Sequence, residues 1–265
     1  MEFLSRNMLV LGATMFAGMI GKPIPISKLS ATPFEICVMQ EQSDNFIQNL
    51  LKMTGFSENK ITCEPSPFDD ALDSAVRIQR EFKAYPTVLF ARAGCERIVL
   101  CTKLAYAGQL RAAVPDWENN TLYIDTQRGS KSSGYPEYVL HHEFFHLIDR
   151  ADDGDVYTDP KWSALNPIGF HYGTGGVNAQ TTRNTGTLTD KTPGFLTHYA
   201  TTGVEEDKAD LFAYIITHKN YISARMRTDI TLRAKVTRLK ALLVDFCPDA
   251  KDLLNVGDDV STKSH

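Results

Sequence analysis

The sequence predicts an α+β domain in which a small mixed sheet packs on helices. Three observations carry this. Short runs of apolar, β-branched and aromatic residues, such as Thr121-Leu122-Tyr123-Ile124-Asp125, alternate with helical segments through the first half of the chain. An amphipathic stretch from Glu137 to Asp153 comes next, uninterrupted by Pro or Gly. Two more helical patterns, Gly203 to Lys219 and Ile222 to Phe246, close the chain.

The 265 residues, 43% of them hydrophobic, suffice for a sizeable core. The expected organisation is a single domain over 32–248, preceded by a signal peptide or N-terminal arm (1–31) and followed by a polar tail (249–265). A net charge of −4 excludes bulk attraction to polyanions, and no nucleic-acid-binding module is visible. Five cysteines (Cys37, Cys63, Cys95, Cys101, Cys247) include no Cys-x-x-Cys pair, which argues against a structural zinc knuckle. Cys95 and Cys101 suit either a local disulfide in an oxidising compartment or, the preferred reading, buried free thiols. Met8 to Ile20, 13 residues, is too short to span a bilayer. Its length suits a signal-peptide core with Leu29-Ser30-Ala31 as a poor cleavage site, yet Arg6 is the lone positive charge before it and Glu2 opposes it. Export is therefore only slightly ahead of a cytoplasmic location.

Phe34 to Met39 reads as a strand. Ser43 caps a helix from Asp44 to Thr54, ended by Gly55. Ser66-Pro67 opens a second helix with Leu72, Val76, Ile78 and Phe82 inward, ending near Tyr85-Pro86. Pro86 to Phe90 starts a short helix stopped by Gly94. Arg97 to Cys101 and Thr121 to Asp125 are strands, the latter serving either as an edge to which a peptide adds or as a plain core strand. Asn119-Asn120-Thr121 is a glycosylation sequon, meaningful only in a secreted chain. The aspartates between Ala151 and Asp159 lack the spacing of a calcium loop and read as a solvated loop. Lys161 to Thr192 is a long Gly/Thr/Asn-rich loop whose Trp162, Phe170, His171 and Tyr172 either line a substrate cleft or pin the loop down. The final helix turns Leu232, Val236, Leu239, Leu242 and Leu243 inward, and the tail after Pro248 is expected to fray.

The run Glu137–Asp153 contains His142-Glu143-Phe144-Phe145-His146. Four residues apart on a helix, His142 and His146 stand on one face, able to share one tetrahedral zinc, with Glu143 beside the first. Leu140, Phe144, Leu147 and Ile148 supply the packing face. His141 points about 100° away and is a packing or surface residue. Asp149, on the ligand face, is either a support for a ligand or a helix-end charge. A catalytic zinc takes three protein ligands and leaves one position open. Glu206 is the chosen third ligand, with Asp210 one turn on to accept the free ring N–H of a ligating histidine. The competing reading is that Glu205, Glu206 and Asp207 only complement a helix dipole.

His142-Glu143-Phe144-Phe145-His146 followed by Glu206-Asp207-Lys208-Ala209-Asp210 resembles the gluzincin arrangement of zinc metallopeptidases. It is similar to the lethal-factor catalytic domain, the Pro-Pro endopeptidases and the group named putative zinc-binding metallopeptidases. These carry a Tyr seven residues ahead of the ligand Glu, as Tyr199 stands ahead of Glu206. Gly194-Phe195-Leu196-Thr197-His198-Tyr199-Ala200 extends the likeness to the last group, with Asp210 where Glu is usual. The resemblance covers roughly Tyr85 to Thr217 and implies a zincin-like fold with the His-bearing helix as the cleft floor. The metzincin pattern fails at Asp149 and Asp152, and the aspartate-ligand class lacks its Asp after Gly173-Thr174.

The expected activity is hydrolysis of a peptide bond, most simply as an endopeptidase, using one Zn2+ per chain. Glu143 is the general base and Tyr199 the donor to the oxyanion, with His198 and His171 as competing donors. Peptide or protein is the expected substrate, with no nucleic acid and no membrane span. A scaffold that binds without turnover and a metal-dependent amidase on a non-peptide substrate are the alternatives.

Overall fold

The computed structural model describes residues 9–10, 33–38, 60–173, 175 and 191–256. The helix expected over Asp44–Thr54 and the segment proposed as a signal core lie outside them, apart from Leu9 and Val10. The chain divides into two compact units, 1–140 and 141–265. Among the described residues the first is a mixed sheet with helices packed beside it and the second is mainly helical.

In the first unit the strands are β1 (Leu9–Val10), β2 (Glu35–Val38), β3 (Ile61–Glu64), β4 (Arg97–Tyr106), β5 (Gln109–Leu110), β6 (Ala113–Asp116) and β7 (Thr121–Asp125). They are arranged in the order β1-β2-β4-β7-β6, with β3 and β5 also paired to β4. β4 runs parallel to β2 and β7 along Arg97–Cys101, then antiparallel to β3 and β5 beyond it. The change of partners coincides with Lys103, whose φ of +48° is unusual for a side-chain-bearing residue, and with the Asp125 carboxylate accepting the Leu104 N–H at 3.0 Å. Ile98-Val99-Leu100-Cys101 is buried throughout, as a parallel strand covered on both faces must be.

Strand β7 lies between β4 and β6, so it is a core strand and not the edge. The turn before it places Asn120 in the left-handed region at φ +53°. The sequon there is engaged in structure. The Asn119 amide donates to both oxygens of Asp116 (3.1 and 3.0 Å), and Thr121 is buried. Cys95 and Cys101 are buried free thiols, and burial pushes the Cys95 thiol up to about 12.

Helix α1 (Phe68–Phe82) buries Ala71, Ser74, Ala75, Ile78 and Phe82, a stripe at helical spacing. Val76, expected inward, is 49% exposed, because the buried stripe starts one residue earlier than the pattern through Leu72. Helix α2 (Thr87–Arg92) comes next, and Gly94 ends it at φ +67°. Phe82 meets Phe34, Tyr85 and Phe90 edge-on at 4.9–5.7 Å, closing one end of this core.

Helix α3 (Tyr135–Asp153) carries the His-Glu-x-x-His segment, and the boundary between the units falls within it. It extends through Asp153, so Ala151–Asp153 are helical and the loop begins at Gly154. The second unit continues with α4 (Pro160–Ser163), capped by Asp159 accepting the Trp162 N–H at 2.8 Å, and α5 (Val204–Thr217). The final helix is broken into α6 (Lys219–Arg225) and α7 (Ile230–Phe246). Asp229 makes the break, accepting the Leu232 N–H at 2.8 Å as N-cap while pairing with Arg225 at 2.7 Å. Leu232, Val236, Leu239 and Leu243 are buried and Leu242 only partly so. Residues 248–256 dock instead of fraying: Leu254 and Val256 are buried, and the Lys240 ammonium donates to the Val256 carbonyl at 2.8 Å. Among the described residues no helix is long and apolar enough to cross a membrane.

Candidate metal centre

Helix α5 is buried along nearly its whole length, from Val204 to Ile215. Such a helix is normally apolar all round. This one carries Glu205, Glu206, Asp207, Lys208 and Asp210, each 7% exposed or less. Burying these groups is costly unless each is partnered, and the partners define the site.

Glu206 faces the α3 histidines. Its Oε2 lies 3.0 Å from His142 Nε2 and 3.6 Å from His146 Nε2, and the two Nε2 atoms are 3.3 Å apart. Only the first distance is that of an ordinary hydrogen bond. Hydrogen bonding therefore leaves the three-way convergence unexplained. Ligands about 2.0–2.1 Å from a tetrahedral zinc lie about 3.3 Å from each other. The observed separations scatter around that value, and among the described residues these three form a group able to hold a metal ion. Two imidazoles and a carboxylate are also the donor types zinc takes, so the residues fit the ion.

The electrostatics match this arrangement. Burial alone would raise the Glu206 carboxyl, but the imidazoles of His142 and His146 beside it hold it well below the usual carboxylate range. Burial alone would lower His146, but the Glu206 carboxylate beside it lifts it to about 9. Without metal, a proton on His146 balances the charge of Glu206.

Tyr199 opens a 3-10 turn (Tyr199–Thr201), and its hydroxyl donates to Glu206 Oε1 at 2.7 Å. It thus holds the carboxylate oxygen that faces away from the histidines. Asp210 stands 3.9 Å from His142 Nδ1, beyond hydrogen-bond length, and accepts from the Thr197 hydroxyl at 2.6 Å. Thr197 is a participant that the sequence reasoning missed. It also accepts the Ala200 N–H at 3.0 Å, so one hydroxyl ties the Tyr199 turn to α5. A lone Thr ahead of a turn gives no periodic signal by which the sequence could have marked it. Glu143 is half-buried, whereas His198 and His171 are exposed and form no contact with the cluster among the described residues. His141 is fully buried, a packing residue.

The other acids of α5 are not simple dipole partners. Asp207 accepts from the Lys235 ammonium (2.7 Å), the Trp162 indole (2.7 Å) and the Tyr172 hydroxyl (2.5 Å). Burial raises its carboxyl and Lys235 offsets part of the rise. Phe170 packs on Phe195 at 4.6 Å, and Lys235 lies 3.5 Å over the Phe195 ring. Lys161–Ser163 of the expected loop is helical, and Trp162 and Tyr172, bonded to Asp207, with Phe170 on Phe195, pin the described part of the 161–192 segment down. Gly203, ahead of α5, leaves room for the Glu205 carboxylate to fold back over the helix start.

Comparison with protein-family models finds no match. No curated protein matches either. Among solved structures the chain is similar to a putative zinc-binding metallo-peptidase from Bacteroides caccae. The two share 17% identity and a TM-score of 0.48, over 81% of this chain and 90% of that chain.

Proposed function

We propose that this chain is a zinc-dependent peptidase, in the simplest form an endopeptidase, with His142, His146 and Glu206 as the metal ligands. The observation that supports this most directly is the convergence of three buried donor atoms at 3.0–3.6 Å, on a helix whose next residue after His142 is Glu143. Zinc held there supplies a Lewis acid that polarises a peptide carbonyl and acidifies water.

The chain's own residues do the rest. The Glu143 carboxylate takes the proton of the attacking water and returns it to the leaving amine. Tyr199 is a donor to the carbonyl oxygen as that oxygen gains charge, and its bond to Glu206 Oε1 is the one it gives up to do so. Asp210, held by Thr197, places a negative charge near His142 Nδ1 and favours the tautomer that leaves Nε2 free to ligate.

The test is Glu143→Gln assayed on a peptide library with zinc content measured in parallel. Zinc is expected to stay at the wild-type level while cleavage falls by about 10²–10⁴-fold, the usual worth of a general base. Cleavage by the variant at the wild-type rate would remove Glu143 from the mechanism. A zinc-loaded wild type that cleaves no peptide would remove the peptidase reading.

A further inference from the structure

Glu206 and Lys208 leave α5 about 200° apart, at 100° per residue, and both reach α3. Glu206 meets His142 and His146, while the Lys208 ammonium donates to Asp149 Oδ1 at 2.6 Å. On α3 the residues met, His142, His146 and Asp149, fall within a stripe about 60° wide. The arc of α5 between the two contacts holds Ala209, fully buried, and Phe212, whose ring lies 5.0 Å from Phe145 of α3. A single polar contact would leave α5 free to roll against α3. Two, on opposite flanks of one helix, fix the roll.

Stability gives no reason for the second contact. Lys208 is 1% exposed and Asp149 6%, and Asp149 Oδ2 has no hydrogen-bond partner among the described residues. Taking such a pair out of water costs several kcal/mol per ion, and an apolar pair of like volume is commonly as stable or more so. What an ion pair at 2.6 Å adds is direction: it tolerates a shift along the helix far less than two apolar side chains do.

We infer that Asp149 and Lys208 are positioning residues that lock α3 on α5 in the register where Glu206 Oε2 lies beside both imidazoles, and thereby set the affinity for the metal. The inference rests on the reading of the cluster as a zinc site. Neither residue touches the ligand atoms.

The experiment measures zinc affinity by competition with a chromogenic chelator, and thermal melting of the metal-free protein, for four proteins. These are the wild type, Lys208→Arg, Asp149→Glu and the double variant Asp149→Leu/Lys208→Met. The double variant is expected to melt close to the wild type yet bind zinc about 10–100-fold more weakly, the usual cost of losing support around a ligand. Asp149→Glu keeps the charge but lengthens the arm, so a lock on register weakens by about tenfold where a pure charge effect would not. It reads the same question should the double variant fail to fold. Lys208→Arg restores a directional pair and is expected to bind within about threefold of the wild type. Wild-type affinity in both the double variant and Asp149→Glu would overturn the inference alone, as would a loss of affinity that only tracks a loss of melting temperature. A wild type that binds no zinc would overturn the zinc reading, and the inference with it.

Discussion

His146 and Glu206 hold opposite charges in contact, and that makes the metal-free protein sensitive to pH in a direction the shifts dictate. Burial works against the charge on His146, and the Glu206 carboxylate overrides it, so the folded value stands at about 9 against an ordinary 6.5. A group raised in this way stabilises fully below 6.5 and loses that contribution as pH climbs through about 9. Glu206 is depressed, so its contribution is present above its ordinary 4.5 and fades as pH falls below it. Chelator-treated protein is therefore expected to lose stability in urea titrations between about pH 6.5 and 9, and His146→Ala to flatten that slope. A slope unchanged by the substitution would contradict the assignment. Zinc affinity should run the other way, rising over the same range as the competing proton leaves His146. At this scale much was legible in the sequence. Spacing alone puts His142 and His146 on one helix face, and the structure sets Glu206 beside them. Thr197 was not, because a hydroxyl between two turns carries no period, and Tyr199 was read as an oxyanion donor without its bond to Glu206.

Helix α5 is the element on which the second unit is built, and its buried charges are its least legible feature. Nothing in the sequence marks Lys208 and Lys235 as buried, since their partners Asp149 and Asp207 lie 59 and 28 residues away. No local pattern links residues so far apart. The α6–α7 break was missed for a different reason. The apolar spacing of Leu232, Val236, Leu239 and Leu243 runs smoothly from the Ile222 side, while the cap at Asp229 interrupts the backbone without disturbing that spacing. Short strands β3, β5 and β6 were missed as well, being two to four residues each and set by pairing with neighbouring strands rather than by their own composition. The Asp207 network makes a quantitative claim. Lys235→Met leaves a carboxylate 2% exposed without its cation and should cost about 3–5 kcal/mol in denaturant unfolding. Trp162→Phe removes one donor of several and should cost about 1 kcal/mol. Equal effects from the two would contradict the account in which the Lys235 ammonium is the charge that keeps Asp207 buried.

At the scale of the molecule, the α+β class rests, among the described residues, on a sheet with its helices in the unit 1–140 and on helices in the unit 141–265. The cluster of His142, His146 and Glu206 lies wholly within the second of these units, so a metal held there would be linked to the stability of that unit. An ion that binds the folded form at a free concentration of 100 times its Kd adds about 2.7 kcal/mol. The central claim is nonetheless stoichiometric rather than energetic: one ion sits on three residues. Zinc per chain, determined by elemental analysis of protein purified without added metal, tests it most directly. The account expects close to one zinc in the wild type and close to none in His146→Ala. No zinc in the wild type after reconstitution, or full retention in His146→Ala, would contradict it.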